Sequence, residues 1–284
     1  MKIFPVTVSV FFAAMLIVSC KSVDAASSAT KAPQKAEKPA PKTVEIRTWK
    51  IESVKSLYPD GMVSSVSTTK YDDSGKILSE AQYDGKNNLV SEKEYAWNSD
   101  KSVTMVSKNA AGEVIGKMIG EYDGPRLMKE TLANEKDDVQ STESYRYDAA
   151  GNRTGLTVTT ATGGTVSTDY VRENGILVRI RILDASGNVI KRFERTYDAL
   201  GALLKEDEYD ADGTLRGSIA YTLDKGVIVR EDKLNAAGGV IGHVEYVNDE
   251  NGNAKEVRYF AGNGKLVEMK QQQWKLFTRT EIQQ

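Results

Sequence analysis

The 284 residues contain one cysteine, one histidine and six prolines. A single thiol excludes an intrachain disulfide, and the single imidazole, His243, excludes a metal site built on paired histidines. No metal and no cofactor is expected. Of the prolines, only Pro125 falls between residues 60 and 284, inside the turn-like DGPR, so no predicted strand there loses a ladder hydrogen bond to proline. An excess of positive charge is lacking as well. The formal net charge is −2; five lysines against Asp24 and Glu37 make residues 20–43 +3, so with Lys2 set aside residues 44–284 carry −6. An acidic body of this kind argues against nucleic acid as a partner. Hydrophobic residues make up 40% of the chain, part of them in the N-terminal run, which supplies a filled two-layer core poorly.

What is present begins with a leader. Lys2 precedes an apolar run over residues 3–18, and Ser19 and Cys20 close it; the run is slightly short for a membrane helix and reads as a secretory signal. The ending Ile17-Val18-Ser19-Cys20 resembles the bacterial lipobox, in which cleavage falls before a cysteine that becomes lipid-modified. That resemblance implies a signal peptide over residues 1–19, a fatty-acylated Cys20 and the membrane as a partner through it. Lys21, in place of the aspartate that enterobacterial lipoproteins use for inner-membrane retention, implies the outer membrane. Residues 20–43, rich in Ala, Ser, Lys and Pro, have no apolar period and are expected to form a disordered tether. The folded body is then 44–284.

The body is repetitive. Turn-like clusters centre near residues 61, 75, 88, 100, 112, 124, 138, 151 and 164, and continue near 175, 187, 201, 213, 226, 238, 252 and 264, every second one 23 to 27 residues on. In Asp-x-x-Gly the carboxylate accepts backbone hydrogen bonds of its own turn, and Gly takes the left-handed position that ends it. Between turns lie short segments such as VIKRFERTY and LLKEDEY, rich in strand formers. The unit is a β-hairpin, and about 17 or 18 consecutive antiparallel strands are expected. The fold class is all-β: a long antiparallel meander of hairpin repeats, either an extended, largely single-layer sheet or a curled or closed β-barrel. Trp49 and Trp274, near the two ends, are candidate caps for the edges of an open sheet. LLKEDEY lacks the lipid-facing alternation that a membrane-spanning barrel needs.

Pairing each turn's Asp with the residue after its Gly sets an expected register. Tyr197 then faces Leu203, Tyr209 faces Leu215, and Tyr221 lies opposite Val229. One face carries Phe193, Tyr197, Leu203, Tyr209, Leu215, Ile219, Tyr221 and Val229. The other carries Arg192, Glu194, Glu206, Glu208, Arg216, Ser218, Arg230 and Asp232. A slip of one residue would exchange the faces.

The units Tyr71-Asp72 with Gly75, Tyr147-Asp148 with Gly151, Tyr197-Asp198 with Gly201 and Tyr209-Asp210 with Gly213 resemble the YD repeats of Rhs-type and toxin-associated proteins. In those proteins hairpin repeats build large sheets or shells. The family's Gly-Arg-Leu continuation is absent, since Lys76, Asn152, Ala202 and Thr214 follow the glycines. The MORN-like repeats of some antitoxin-related proteins are similar in the same loose way. An acylated Cys, a Lys-rich tether and a hydrophilic sheet together resemble spirochaetal outer-surface lipoproteins with a single-layer sheet.

Catalytic chemistry has weak candidates only. His243, in VIGHVEY, is expected on the strand beside Glu231 and Tyr259, with Ser218 two strands away on the other face, which argues against a Ser-His-acid triad. Glu206, Asp207 and Glu208 are adjacent in sequence, but a strand sends neighbours to opposite faces. The Gly-Gly pairs at 163 and 238 lie in hairpin turns and imply no phosphate loop. The expected function is a lipid-anchored envelope protein that presents its sheet as a structural or ligand- or host-binding surface to a protein or envelope ligand. Two alternatives stand beside it: an envelope hydrolase of lipid esters using His243, Glu231 and Ser218, and an antitoxin-like binding protein.

Overall fold

The computed structural model describes residues 42–283; the signal peptide, Cys20 and almost all of the tether lie outside them. Eighteen strands follow one another with no helix among the described residues. They are β1 (Lys42–Leu57), β2 (Val63–Tyr71), β3 (Ile77–Asp84), β4 (Leu89–Asn98), β5 (Ser102–Asn109) and β6 (Val114–Asp123). Next come β7 (Arg126–Ala133), β8 (Val139–Tyr147), β9 (Arg153–Thr160), β10 (Thr165–Glu173), β11 (Ile176–Leu183) and β12 (Val189–Tyr197). The last are β13 (Leu203–Asp210), β14 (Leu215–Asp224), β15 (Val227–Asn235), β16 (Val240–Asn248), β17 (Ala254–Ala261) and β18 (Leu266–Gln283). Each strand pairs with the next, and β1 also pairs with β18, so the meander closes into a barrel. Of the two forms expected, the closed one is found: a single layer whose first and last strands complete the ring.

The turns are built as their composition dictates. At Asp184 the backbone N–H donates to the carbonyl of Asn188 (2.9 Å), and the N–H of Gly187 donates to the carbonyl of Asp184 (3.0 Å). The Asp184 carboxylate accepts the N–H groups of Ser186 and Asn188, both at 2.9 Å, and the side-chain amide of Asn188 at 3.1 Å. Gly187 has φ +83°, a region that costs glycine no Cβ clash. At the turns near 88, 100 and 138, where the left-handed position holds no glycine, Asn87, Ser99 and Asp137 take φ between 62° and 68° instead.

Hydrogen bonding from the asparagine four residues on holds the carboxyls of Asp84, Asp148 and Asp184 below their ordinary value of 3.8. A depressed folded pKa means that the folded chain binds the proton less tightly than the unfolded one. The stability these groups contribute is present above the unfolded value and is lost as pH falls through the folded one. Asn109, Asn134 and Asn235 serve three other turns with the same acceptor geometry and no charge. Replacing Asp84, Asp148 and Asp184 together by Asn is therefore expected to flatten the acid limb of stability below about pH 4. Melting temperatures measured between pH 7 and pH 2 would show it, and an unchanged acid limb would contradict the assignment.

Register departs from expectation in a regular way. Fifteen of the seventeen consecutive strand pairs contain one unpaired extra residue, near the start of the return strand in each case. Tyr197 does face Leu203, and Tyr209 does face Leu215. Beyond each bulge, however, every partner moves by one: Tyr221 faces Glu231, not Val229, because Val229 is the extra residue. The bulges bend and twist each hairpin in the same sense, which is the local source of curvature for closure. Their extra residues include Leu78, Val90, Ile115, Ile190, Leu204, Ile241 and Val267, each left exposed.

A chain of directly opposite residues fixes one continuous face. It runs through Trp97, Val103, Gly120, Glu130, Glu143, Tyr145, Leu156, Ile180, Phe193, Arg195, Glu206, Ile219, Tyr221, Glu231, Val244 and Tyr259. This tyrosine face is the crowded one: Val103, Tyr145, Ile180, Val257 and Glu206 are all buried on it. Closure crowds side chains on the concave side, so the tyrosine face lines the barrel. Most other strand residues on both faces remain half-exposed, as in a wide barrel with a wet interior and no packed core.

Candidate functional site

The second residue of the Tyr-Asp-x-x-Gly unit makes the turn, and the first seals the strand beside it. The Tyr71 hydroxyl donates to the Ile51 carbonyl (2.7 Å), Tyr147 to Leu127 (2.7 Å) and Tyr197 to Leu177 (2.6 Å), each twenty residues back. Trp97, Asn248 and Trp274 occupy the equivalent places, donating to Ile77, Ile228 and Ala254 at 2.8 to 3.0 Å. Five of them stand at or next to the ends of even-numbered strands, and Trp274 stands midway along the longer β18. The donors there are interchangeable because the structural need is an N–H or O–H on a long arm. Tyr209 is different: it ends an odd-numbered strand on the opposite rim and face, where the Arg192 guanidinium lies 4.5 Å from its ring centroid.

Deeper in the barrel the tyrosine face carries a second series. Tyr95 donates to Glu80 (2.6 Å), Tyr145 to Glu130 (2.5 Å) and Tyr246 to Glu231 (2.8 Å), always fifteen residues apart. At the matching place in β12 stands Arg195, whose Nε donates to Glu206 Oε2 at 2.7 Å. Sequence reasoning missed this series; the recurrent Glu-to-Tyr spacing of fifteen was the signal that could have found it. Burial, with the nearby glutamates, pushes the phenols of Tyr221 and Tyr246 far up, so they stay neutral donors. Burial, reinforced by the nearby Glu206 charge, also raises the Glu231 carboxyl against the lowering hydrogen bond from Tyr246.

Beside this cluster, Ile219, Glu231, Lys233, Val244 and Tyr259, with Ile241, His243 and Phe260 from the strand positions next to them, line a shallow hollow of about 310 Å³ that also includes Gly242. A Cβ on Gly242 would stand 2.9 Å from the Phe260 carbonyl oxygen. The hollow sets Glu231, Lys233, Tyr259 and His243 among apolar walls, and Ser218 is not one of its lining residues.

The weak catalytic candidates fall apart in space, in a different way from that expected. His243 faces Asp232 and Phe260, not Glu231 and Tyr259. It lies on the face opposite Glu231, with its ring stacked on Phe260 at 4.4 Å and 10°. Ser218 shares that face with His243, where the sequence reading put it on the other side. The bulges account for both corrections, since one extra residue per hairpin inverts the face assigned to everything after it. Ser218 is buried and its hydroxyl donates to Asp207 Oδ1 at 2.5 Å, while β15 separates it from His243's strand. Two strand spacings are roughly 9.5 Å, beyond hydrogen-bond reach. Glu206 is likewise corrected: it sits on the tyrosine face, opposite Arg195 and Ile219. Among the described residues no group of three or more metal-ligating side chains occurs.

No protein-family model matches the chain, and no curated protein matches it. Solved structures similar to it include a porin-like protein from Bacteroides uniformis, 11% identical, with a TM-score of 0.42, covering 81% of this chain and 96% of that one. A protein with a YmcC-like fold from Bacteroides fragilis is 10% identical, with a TM-score of 0.19, over 78% of this chain and 93% of its own. The TcdB2-TccC3 structure without its hypervariable C-terminal region is 14% identical, with a TM-score of 0.27, over 75% of this chain but 15% of that one. At such TM-scores none of these likenesses bears on function, which is argued from this chain's own residues.

Proposed function

We propose that the protein is a lipid-anchored, non-enzymatic component of a bacterial envelope whose barrel acts as a structural and ligand-presenting surface. The observation that carries this is the state of the polar side chains: on both faces they are spent on one another in ladders. Glu80, Glu130 and Glu231 are held by tyrosines on one face, and Asp169 is held by Arg146 and Arg181 on the other. A hydrolase would need Ser218 and His243 in contact, and each is committed elsewhere. An outer face with ion pairs such as Arg179–Glu194 and Arg230–Glu245 supports a barrel standing in water more than one crossing lipid. Attachment rests on the leader and Cys20.

Cys20→Ser tests the anchor. The native chain is expected to incorporate a labelled fatty acid and to sediment with membranes after a high-salt wash. The Cys20→Ser chain should take up no label and move almost wholly to the soluble fraction. Retention of the variant on washed membranes would overturn the anchoring.

A further inference from the structure

Among the described residues, closure removes the edges of the sheet except where β1 overruns β2 and β18 overruns β17. β1 and β18 have 16 and 18 residues, against 8 to 10 for every other strand. β2 pairs with β1 over Ser53–Leu57, and its last residue, Tyr71, reaches back only to the Ile51 carbonyl. The turn after it meets β1 at Lys50, whose Nζ donates to the Gly75 carbonyl. Residues 42–49 therefore run past the end of β2, and the backbone donors and acceptors on their β2 side form an edge. A strand edge of this kind is a template for another strand.

We propose that this edge pairs with the same edge of a second copy, making a twofold antiparallel β-ribbon across two barrels. The charges choose the occupant and the register. Glu45 and Arg47 lie on the same face of β1, both largely exposed, at 62% and 59%. In an antiparallel pairing centred on Ile46, Glu45 of each copy stands directly opposite Arg47 of the partner subunit, giving two cross-strand ion pairs. Centring on Glu45 or on Arg47 would set like charges against each other, which is destabilising. The centred pairing also sets Val44 against Thr48 and Thr43 against Trp49 of the partner subunit. The interface is isologous and closes at two copies, because each barrel has one β1 edge to give.

Disulfide trapping tests it in the full-length chain. Residues on a twofold axis of an antiparallel pair have Cα atoms about 4.5 to 5.5 Å apart, within disulfide range. Ile46→Cys is thus expected to yield a covalent homodimer on mild oxidation, above the background set by the unsubstituted chain and its Cys20. Val44→Cys, on the same face, would sit about 13 Å from its own copy and should trap at least about tenfold less. Adding Glu45→Arg to Ile46→Cys should cut the dimer by about tenfold, and adding Arg47→Glu as well should restore it. Circular dichroism confirms that the sheet is kept in each variant. Equal trapping at positions 44 and 46, a band with a different protein in place of the homodimer, or a charge reversal without effect would each overturn the proposal.

Discussion

Arg195→Met is expected to destabilise the barrel by about 3 to 5 kcal/mol, the cost of leaving a buried carboxylate without its partner. Arg195 and Glu206 are directly opposite on β12 and β13, 2.7 Å apart, with side chains 17% and 4% exposed. Around Glu206 on the same face stand Ile219 and Tyr221, which offer it no cation. Removing the carboxylate instead should cost less, since Arg195 can turn its guanidinium toward the wet interior of the barrel. The double variant Arg195→Met/Glu206→Met should recover most of the loss, because it removes the charge together with the need to satisfy it. Urea unfolding of the four chains closes a double-mutant cycle. If the double variant is as unstable as Arg195→Met, pairing of charge is not what holds this position. Lys76–Asp100 is as short a pair, yet Asp100 is 87% exposed, and breaking it is expected to leave unfolding unchanged.

The second large effect is expected at a residue with no side chain. Gly155, in the middle of β9, is buried, and a Cβ there would lie 2.6 Å from the Thr168 carbonyl oxygen and against the Arg146 guanidinium. Arg146, Gly155, Asp169 and Arg181 are opposite one another across β8 to β11. The missing side chain lets Arg146 pass over β9 and donate to Asp169 at 2.8 Å, where Arg181 also donates at 3.0 Å. Gly155→Ala should cost about 1 to 3 kcal/mol by overpacking and should displace Arg146 from Asp169. In an Arg146→Ala background the same substitution should cost less but still register, since the Thr168 carbonyl remains. Equal costs in both backgrounds, read by urea unfolding, would show that Gly155 makes no room for the arginine.

These two sites differ in how far they could be read beforehand. A glycine inside TGLTV marks a close approach in a strand, but what approaches is set by β8 and β10 together. Glu206 stands in LLKEDEY among charges that alternate faces, and the expected register put it with Ser218 on the polar side. One bulge per hairpin moved it to the tyrosine face and gave it Arg195. The same bulges separated His243 from Glu231 and brought His243 onto the face of Ser218 without bringing the two together. Tyr197 and Tyr209 open identical Tyr-Asp-x-x-Gly units, yet one seals a carbonyl at one rim and the other lies under an arginine at the opposite rim and face. Which of these a tyrosine does depends on whether its strand is odd or even in the ring, and no five-residue unit contains that information.

By itself the sequence determined what is local: the turn at each Asp-x-x-Gly, the absence of proline from the strands, the hairpin period and hence an all-β meander of about 17 or 18 strands. A turn's geometry depends on four or five consecutive residues, and those are all present in the text. Register beyond the bulge, the assignment of faces, the Glu-Tyr and Arg-Glu pairs and the meeting of β1 with β18 were decided by the tertiary structure. Each bulge adds a small bend, and only their sum around the ring brings the first strand to the last. The same closure leaves the β1 extension running past β2, the edge proposed to pair with a second copy.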